Sequence, residues 1–273
     1  MPTDKLPKVT TLTTAYNDSK YLPKALESVL SQNYPNIEIL VVDDGSMPRL
    51  EPIVRAVSDS IRYEWIEHKG IPHGLIRGME IASGEYVAIL DSDDMLMQGS
   101  ILKRVERMQE SPAGLCYGRS LLMDEDSRVY AVRPDKVCKD YMDVARKLLV
   151  DLWGPFTHGS IMFNRKNVLT AGNYDKTFSM CEDNELSIRV AKQFGVTFTD
   201  EFVMKYRTHD NNISRRIASR IALDDARFRM IDMYIENPLE RAAYKTATLV
   251  INMAKTAYLS IYTHRKFGTK RLK

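Results

Sequence analysis

Two acidic clusters, Asp43-Asp44 and Asp91-Ser92-Asp93-Asp94, each follow directly on a run of apolar residues. Carboxylates crowded in this way repel one another unless a cation or hydrogen-bond donors offset the charge. The second cluster therefore points to a divalent ion held by hard oxygen ligands, Mg²⁺ or Mn²⁺, which binds a phosphate as well. The alternative is a solvated acidic turn or a helix cap. Two such clusters at comparable places in one half of the chain favour the ligand reading. A further acidic pair, Glu182-Asp183, opens a predicted helix over Cys181–Phe194, where the helix dipole favours negative charge.

The elements around the clusters explain why their position matters. Short apolar or β-branched runs at Lys8–Thr14, Ile37–Val42, Ile61–Glu67 and Tyr86–Leu90 read as strands. Helical periodicity occupies Ser19–Gln32, Pro48–Ser58 and Gly74–Ser83 between them. Strand–helix alternation at this spacing implies right-handed βαβ units in an open α/β sheet. Ligands of such sheets bind beyond the carboxyl ends of the strands, which is where both clusters stand. The usual nucleotide motifs are missing: no GxGxxG follows a strand, and there is no GxxxxGK[ST] loop.

Beyond residue 100 the pattern is less regular. Helices are predicted over Ser100–Gln109 and Asp140–Asp151, and strands over Gly114–Tyr117, Val129–Arg133 and Thr197–Tyr206, the last as one strand or two. Trp153–Gly159 reads as a loop, and everything from Ala218 onward as helix.

The chain has 273 residues, 44% apolar and 27% charged, as expected of a globular protein rather than a fibre or a disordered chain. Three separated cysteines form no CxxC pair, which fits a reducing compartment and argues against a disulfide framework. No secretory signal and no long uncharged apolar stretch is visible, so a cytoplasmic protein is expected. The net charge of +3 conceals an asymmetry: the segment 241–273 carries eight Lys or Arg and no acid, which leaves residues 1–240 at −5. Nucleic-acid binding would call for a basic body and is not expected. The basic tail suggests an anionic partner such as the inner membrane face, or another subunit.

Several segments together carry a resemblance. Thr13-Thr14-Ala15-Tyr16-Asn17, Ser28-Val29-Leu30-Ser31-Gln32, Val41-Val42-Asp43-Asp44-Gly45-Ser46 and the run Gly84 to Asp94 resemble family 2 glycosyltransferases of the GT-A fold. So do Gly159-Ser160-Ile161-Met162-Phe163, Cys181-Glu182-Asp183-Asn184-Glu185-Leu186 and Tyr206-Arg207-Thr208-His209. The motifs occur in the family's order and spacing over roughly residues 8–215. The resemblance implies a mixed open sheet flanked by helices, with a nucleotide-binding half to about residue 100 and an acceptor half over 101–215. Residues 216–273 are expected to form a helical extension with the basic tail.

It also implies roles. Thr14, Ala15, Tyr16 and Asp44 would hold the base and ribose, with Asp91 near the ribose. Asp93 would bind the Mn²⁺ or Mg²⁺ that bridges the diphosphate, with Asp94 as an alternate and His209 as a further ligand. Asp183 would be the catalytic base, with Glu182 beside it on the acceptor side. Trp153 and His158 would line an acceptor loop, where an aromatic ring suits a sugar face. Many relatives carry an Arg-Asn pair before the helix that precedes the Asp-x-Asp strand. Leu75-Ile76 stand there in this chain, so Arg77 or Lys69 is expected to substitute. Arg207 would neutralise diphosphate charge or pair with a carboxylate.

The implied reaction is inverting transfer of a sugar from a nucleotide-diphosphate sugar, UDP-linked by preference, to a hydroxyl of a glycan or glycolipid acceptor. A nucleotidyltransferase and a non-catalytic nucleotide-sugar-binding module are the alternatives. The first lacks a basic glycine-rich loop near Thr13–Asn17, and the acidic residues in place argue against the second. The C-terminal helix is expected to pack on its own domain, to pair two subunits or to touch a membrane.

Overall fold

The computed structural model describes residues 6–151, 154–210, 212, 218–251 and 253. The first half alternates β1 (Val9–Ala15), α1 (Leu22–Leu30), β2 (Ile37–Asp44), α2 (Glu51–Val57), β3 (Arg62–Ile66), α3 (Ile71–Ile81) and β4 (Tyr86–Ile89). These four strands pair in parallel, in the order β3-β2-β1-β4. Side chains of β2 alternate between the two faces. Leu40 and Val42 join one apolar cluster with α3, while Ile39 and Val41 join the other with α1. Burial on both faces is what makes the strand read as a continuous apolar run.

The second half adds β5 (Met95–Leu96), α4 (Ser100–Glu110), β6 (Leu115–Met123), β7 (Val129–Val132), α5 (Tyr141–Val150), β8 (Ile161–Asn164), α6 (Arg165–Thr170), α7 (Glu182–Phe194), β9 (Val196–Arg207) and α8 (Ala218–Tyr234). The sheet continues past β4 as β8-β6-β9-β5, and β7 also pairs with β6. β8 runs antiparallel to both β4 and β6, whereas β9 is parallel to β6. The sheet is therefore mixed and open, with strand direction reversing at β8 beside the parallel half.

A further helix, α9, covers residues 238–251. Its start is marked by Asn237, whose Oδ1 accepts from the amides of Leu239 at 2.9 Å and Glu240 at 3.2 Å. Such side-chain capping satisfies donors that the helix itself cannot.

Several elements start or extend differently from the periodicity: α1 and α2 each begin three residues later, at Leu22 and Glu51, residues 235–237 interrupt the C-terminal helix, and three short elements carry no periodicity at all. α3 begins at Ile71 rather than Gly74, because Pro72 sits in the first turn, where its missing N–H costs no helical bond. β6 runs on to Met123 because β9 pairs with it along that whole length. β5, β8 and α6 span two, four and six residues, too short for a period to register. The link before β4 is equally specific. A Cβ on Gly84 would lie 2.5 Å from the Thr10 amide nitrogen and 2.6 Å from the Tyr86 carbonyl oxygen.

Candidate active site

The crevice is built at the carboxyl ends of β1, β2 and β4. Ala15 is in register with Asp43, so the chain segments leaving β1 and β2 emerge side by side. The Asn17 amide donates to Ser46 Oγ at 2.8 Å, and the Met47 amide donates to Asn17 Oδ1 at 3.0 Å. The two acids at the end of β2 have different duties. Asp43 accepts from the amides of Ser46 and Leu50 and from the Tyr63 hydroxyl, which makes it a structural cap of its own loop. Asp44 accepts from the Lys69 and Gly70 amides at 3.0 and 2.9 Å and has His68 Nδ1 at 2.8 Å.

His68 also stacks on Tyr16, with ring centroids 4.0 Å apart and planes within 14°. Tyr16 remains 49% exposed, so a stacked aromatic platform stands next to the Asp44 carboxylate. Thr14 turns its methyl toward α3, 3.1 Å from where a Gly74 Cβ would lie. Gly74 thus lets α3 approach β1 closely. Arg77 is held by Glu64 of β3, with Nε and Nη2 at 3.0 and 2.7 Å from one carboxylate oxygen. Lys69 Nζ lies 3.2 Å from Glu67.

Behind β4 the second acidic cluster meets the end of β9. Asp93 Oδ2 lies 2.8 Å from His209 Nε2, and Asn212 Nδ2 lies 3.4 Å from each. Asp94 is fully buried; its Oδ1 accepts from the Arg207 amide at 2.7 Å, while its Oδ2 has no hydrogen-bond partner. Arg207 is fully buried too. Its Nε donates to the Asp93 carbonyl, and Nη1 reaches the Asp124 and Glu125 carbonyls and Ser127 Oγ. The guanidinium lies 4.5 Å from the centre of the Tyr21 ring. Of the two roles open to it in the sequence, neither is its main one: Arg207 braces backbone around the acidic loop.

Across the crevice stands the start of α7. Cys181, the residue before it, takes a left-handed φ of 62°, a conformation costly for a side chain with a Cβ. It turns the chain so that Glu182 and Asp183 open the helix. Glu182 is buried, and its carboxyl is pushed up to about 8 by burial, with the charges of Asp183 and Asp91 adding to it. Enclosure in the crevice, with the charges of Asp93 and Asp183, also raises Asp91, although its side chain is 42% exposed. These mutual influences bring together carboxylates that are some ninety positions apart in the chain.

His158 begins a short 3₁₀ turn (His158–Ser160). Its side chain is 10% exposed, with Nδ1 at 3.9 Å from Asp91 Oδ1 and Nε2 at 2.8 Å from the Tyr174 hydroxyl. Burial lowers its basicity, opposed in part by Asp183. Trp153 lies outside the described residues. Sequence reasoning did not find His68, Tyr174, Tyr21 or Asn212. Only Asn212, three residues past His209, had a positional signal.

The chemistry of this donor set fits a divalent cation. Asp93 and His209 present an oxygen and an imidazole nitrogen close together, a pairing that suits Mn²⁺. The surrounding acids are short of positive charge, and one oxygen of Asp94 is unsatisfied. Among the described residues no three His, Cys, Asp or Glu side chains converge on one point. The protein thus offers a partial shell.

Comparison with known proteins agrees with this arrangement. Residues 10–172, more than half of the chain, match the family described as glycosyl transferase family 2. An uncharacterized glycosyltransferase of Rickettsia typhi is 28% identical over 214 residues, which is 75% of this chain and 65% of that protein. Glycosyltransferase GlyG of Streptococcus pneumoniae is 36% identical over 114 residues, 40% of this chain and 38% of its own. The chain therefore spans less than two thirds of the length of these relatives. Among solved structures, S. aureus TarS 1–349 in complex with UDP-GlcNAc superposes with a TM-score of 0.66 at 15% identity, over 88% of this chain and 70% of that one. The mannosyltransferase PcManGT of Pyrobaculum calidifontis, in complex with GDP-Man and Mn²⁺, gives 0.64 at 18% identity, over 93% and 76%. These likenesses establish the GT-A fold, and the match along residues 10–172 establishes the lineage: the chain belongs to glycosyl transferase family 2.

Proposed function

We propose that the protein is an inverting glycosyltransferase that takes a sugar from a nucleotide-diphosphate donor, UDP-linked by preference, and passes it to a hydroxyl of a glycan or glycolipid. The observation that carries this reading is how the second acidic cluster is connected: Ser92 Oγ donates to Asp18 in the turn after β1 at 2.7 Å, Asp93 pairs with His209, and Asp91 exchanges charge effects with Glu182 and Asp183 at the start of α7. Tyr16, backed by His68, offers a face for a base, and Asp44 is an acceptor for a base N–H. Thr14 and Ala15 would adjoin the base, with Asp91 near the ribose, as the family resemblance implies. The complexes of TarS with UDP-GlcNAc and of PcManGT with GDP-Man and Mn²⁺ support a donor of this class.

Asp93 and His209 would hold Mn²⁺ or Mg²⁺, whose charge offsets the negative charge gathering on the departing diphosphate. Asp183 takes the proton from the acceptor hydroxyl as its oxygen forms a bond to the anomeric carbon. The bond from that carbon to the diphosphate oxygen breaks, and the nucleoside diphosphate leaves with the electron pair. Attack and departure on opposite faces invert the anomeric centre. Burial and the neighbouring charges of Asp183 and Asp91 push the Glu182 carboxyl toward its protonated form, which makes it the poorer base of the two.

Thermal shift of the purified protein with UDP, GDP and their sugars, with and without Mn²⁺, tests the reading. Binding raises the melting temperature according to ligand concentration over its dissociation constant. A Mn²⁺-dependent shift with UDP that disappears in Asp93→Ala is the expected result. No shift with any nucleoside diphosphate overturns it.

A further inference from the structure

The C-terminal helix α9 is apolar on its outer side. Leu239, Leu249, Val250 and Met253 are 82%, 47%, 60% and 72% exposed. Ala242, Ala243 and Thr246 are exposed between them. The spacing 239, 242–243, 246, 249–250, 253 is that of one face of a helix, about 20 Å long at 1.5 Å per residue. The opposite face is already occupied. Tyr244 packs against the apolar core, Thr248 is fully buried and its Oγ1 donates to the Leu149 carbonyl at 3.3 Å, and Lys245 pairs with Asp232. The helix is thus moored to the domain by its mixed face and turns its apolar face outward. Among the described residues no helix is long and apolar enough to cross a membrane.

The charge pattern selects the occupant. No acid occurs beyond Glu240, while eight Lys or Arg do, six of them after residue 253. A second copy docked with the helices parallel would bring two such segments together, and like charges would oppose the pairing; docked antiparallel it would keep them apart and leave the eight basic residues without an anionic partner. An anionic bilayer reverses the sign: its surface attracts each basic residue, and its interface accepts the apolar stripe. The geometry points to α9 as an in-plane anchor that seats the enzyme on an anionic membrane surface, with the basic segment behind it adding electrostatic attraction. This goes beyond the transfer reaction and does not depend on it.

Co-sedimentation of the full chain with vesicles tests this. The probes are phosphatidylcholine alone and phosphatidylcholine containing about 30% phosphatidylglycerol, a strongly anionic surface. Binding is expected only to the anionic vesicles. It should fall at least tenfold near 1 M salt, where screening shortens the reach of charges to about 3 Å. The double variant L249E/V250E, altered only at exposed positions, should keep the wild-type melting temperature and lose at least tenfold in vesicle binding, since both apolar contacts are replaced by charge. Absence of binding to anionic vesicles overturns the proposal. So does a double variant that binds as wild type, which would leave the charges as the sole cause. A dimer in light scattering that the same variant converts to monomer also overturns it, by showing that a second copy covers the face.

Discussion

Glu182 and Asp183 are neighbours to which the proposal gives opposite tasks. Glu182 is buried and holds its proton up to about 8, against an unperturbed 4.5. Because its folded-state value is the higher one, its contribution to stability is fully present below 4.5 and is lost as pH rises through 8. Glu182→Gln should therefore melt higher than wild type at pH 8–9 and show no such advantage near pH 4, as read by scanning calorimetry across that range. Equal melting curves at both ends would mean that Glu182 ionises as freely as in water. Asp183→Asn keeps the shape and loses the proton acceptor. It should bind UDP and Mn²⁺ as wild type and transfer sugar on the order of 100- to 10,000-fold more slowly. Near-normal turnover would move the base to another residue.

At the scale of elements, the site depends on close approaches that admit little change. Gly84 leads into β4 with its amide donating to Thr10 Oγ1 at 2.9 Å and backbone of two strands against its α-carbon. Gly84→Ala should destabilise by roughly 1–3 kcal/mol, the usual penalty of forcing a methyl into packed surroundings. For a domain of this size that lowers the melting temperature by about 2–4 °C per kcal/mol. An unchanged melting temperature would show that the link has room to shift.

The parallel half was legible in the sequence because β1 to β4 and α1 to α3 each carry several apolar residues at one period. The direction of β8 was not, because four residues specify no partner and only pairing with β4 and β6 fixes them. The same limit held at the site. Asp91, Asp93, Asp183 and His209 were found through motifs, and the structure gathers them. The His158–Tyr174 contact left no sequence trace, because its partners share no motif. Arg207 is the instructive case: its charge suggested an electrostatic role, whereas full burial and four backbone or hydroxyl acceptors make it a brace.

Over the whole molecule the two halves differ in how their parts are joined. β1, β2 and β3 are linked by neighbouring βαβ crossings, whereas β4 returns past them to pair with β1 from Val9↔Tyr86 to Leu12↔Ile89. β9 pairs in parallel with β6 from Leu115↔Val196 to Met123↔Arg207, across some eighty residues of chain. Closing a long loop before any contact rewards it is slow. The strand that delivers Arg207 and His209 to the acidic loop closes a separation as long as that of β1 and β4, and it is the later of the two in the chain, whereas β1, β2 and β3 join locally. In pulse-labelled hydrogen exchange during refolding, the amide of Val41, on the locally joined strand β2, should gain protection before that of Met204. Simultaneous protection would mean that the sheet closes in one step. A nascent chain with its first four strands in place would carry the base corner without the Asp93–His209 pair, and would remain catalytically silent until synthesis passes β9.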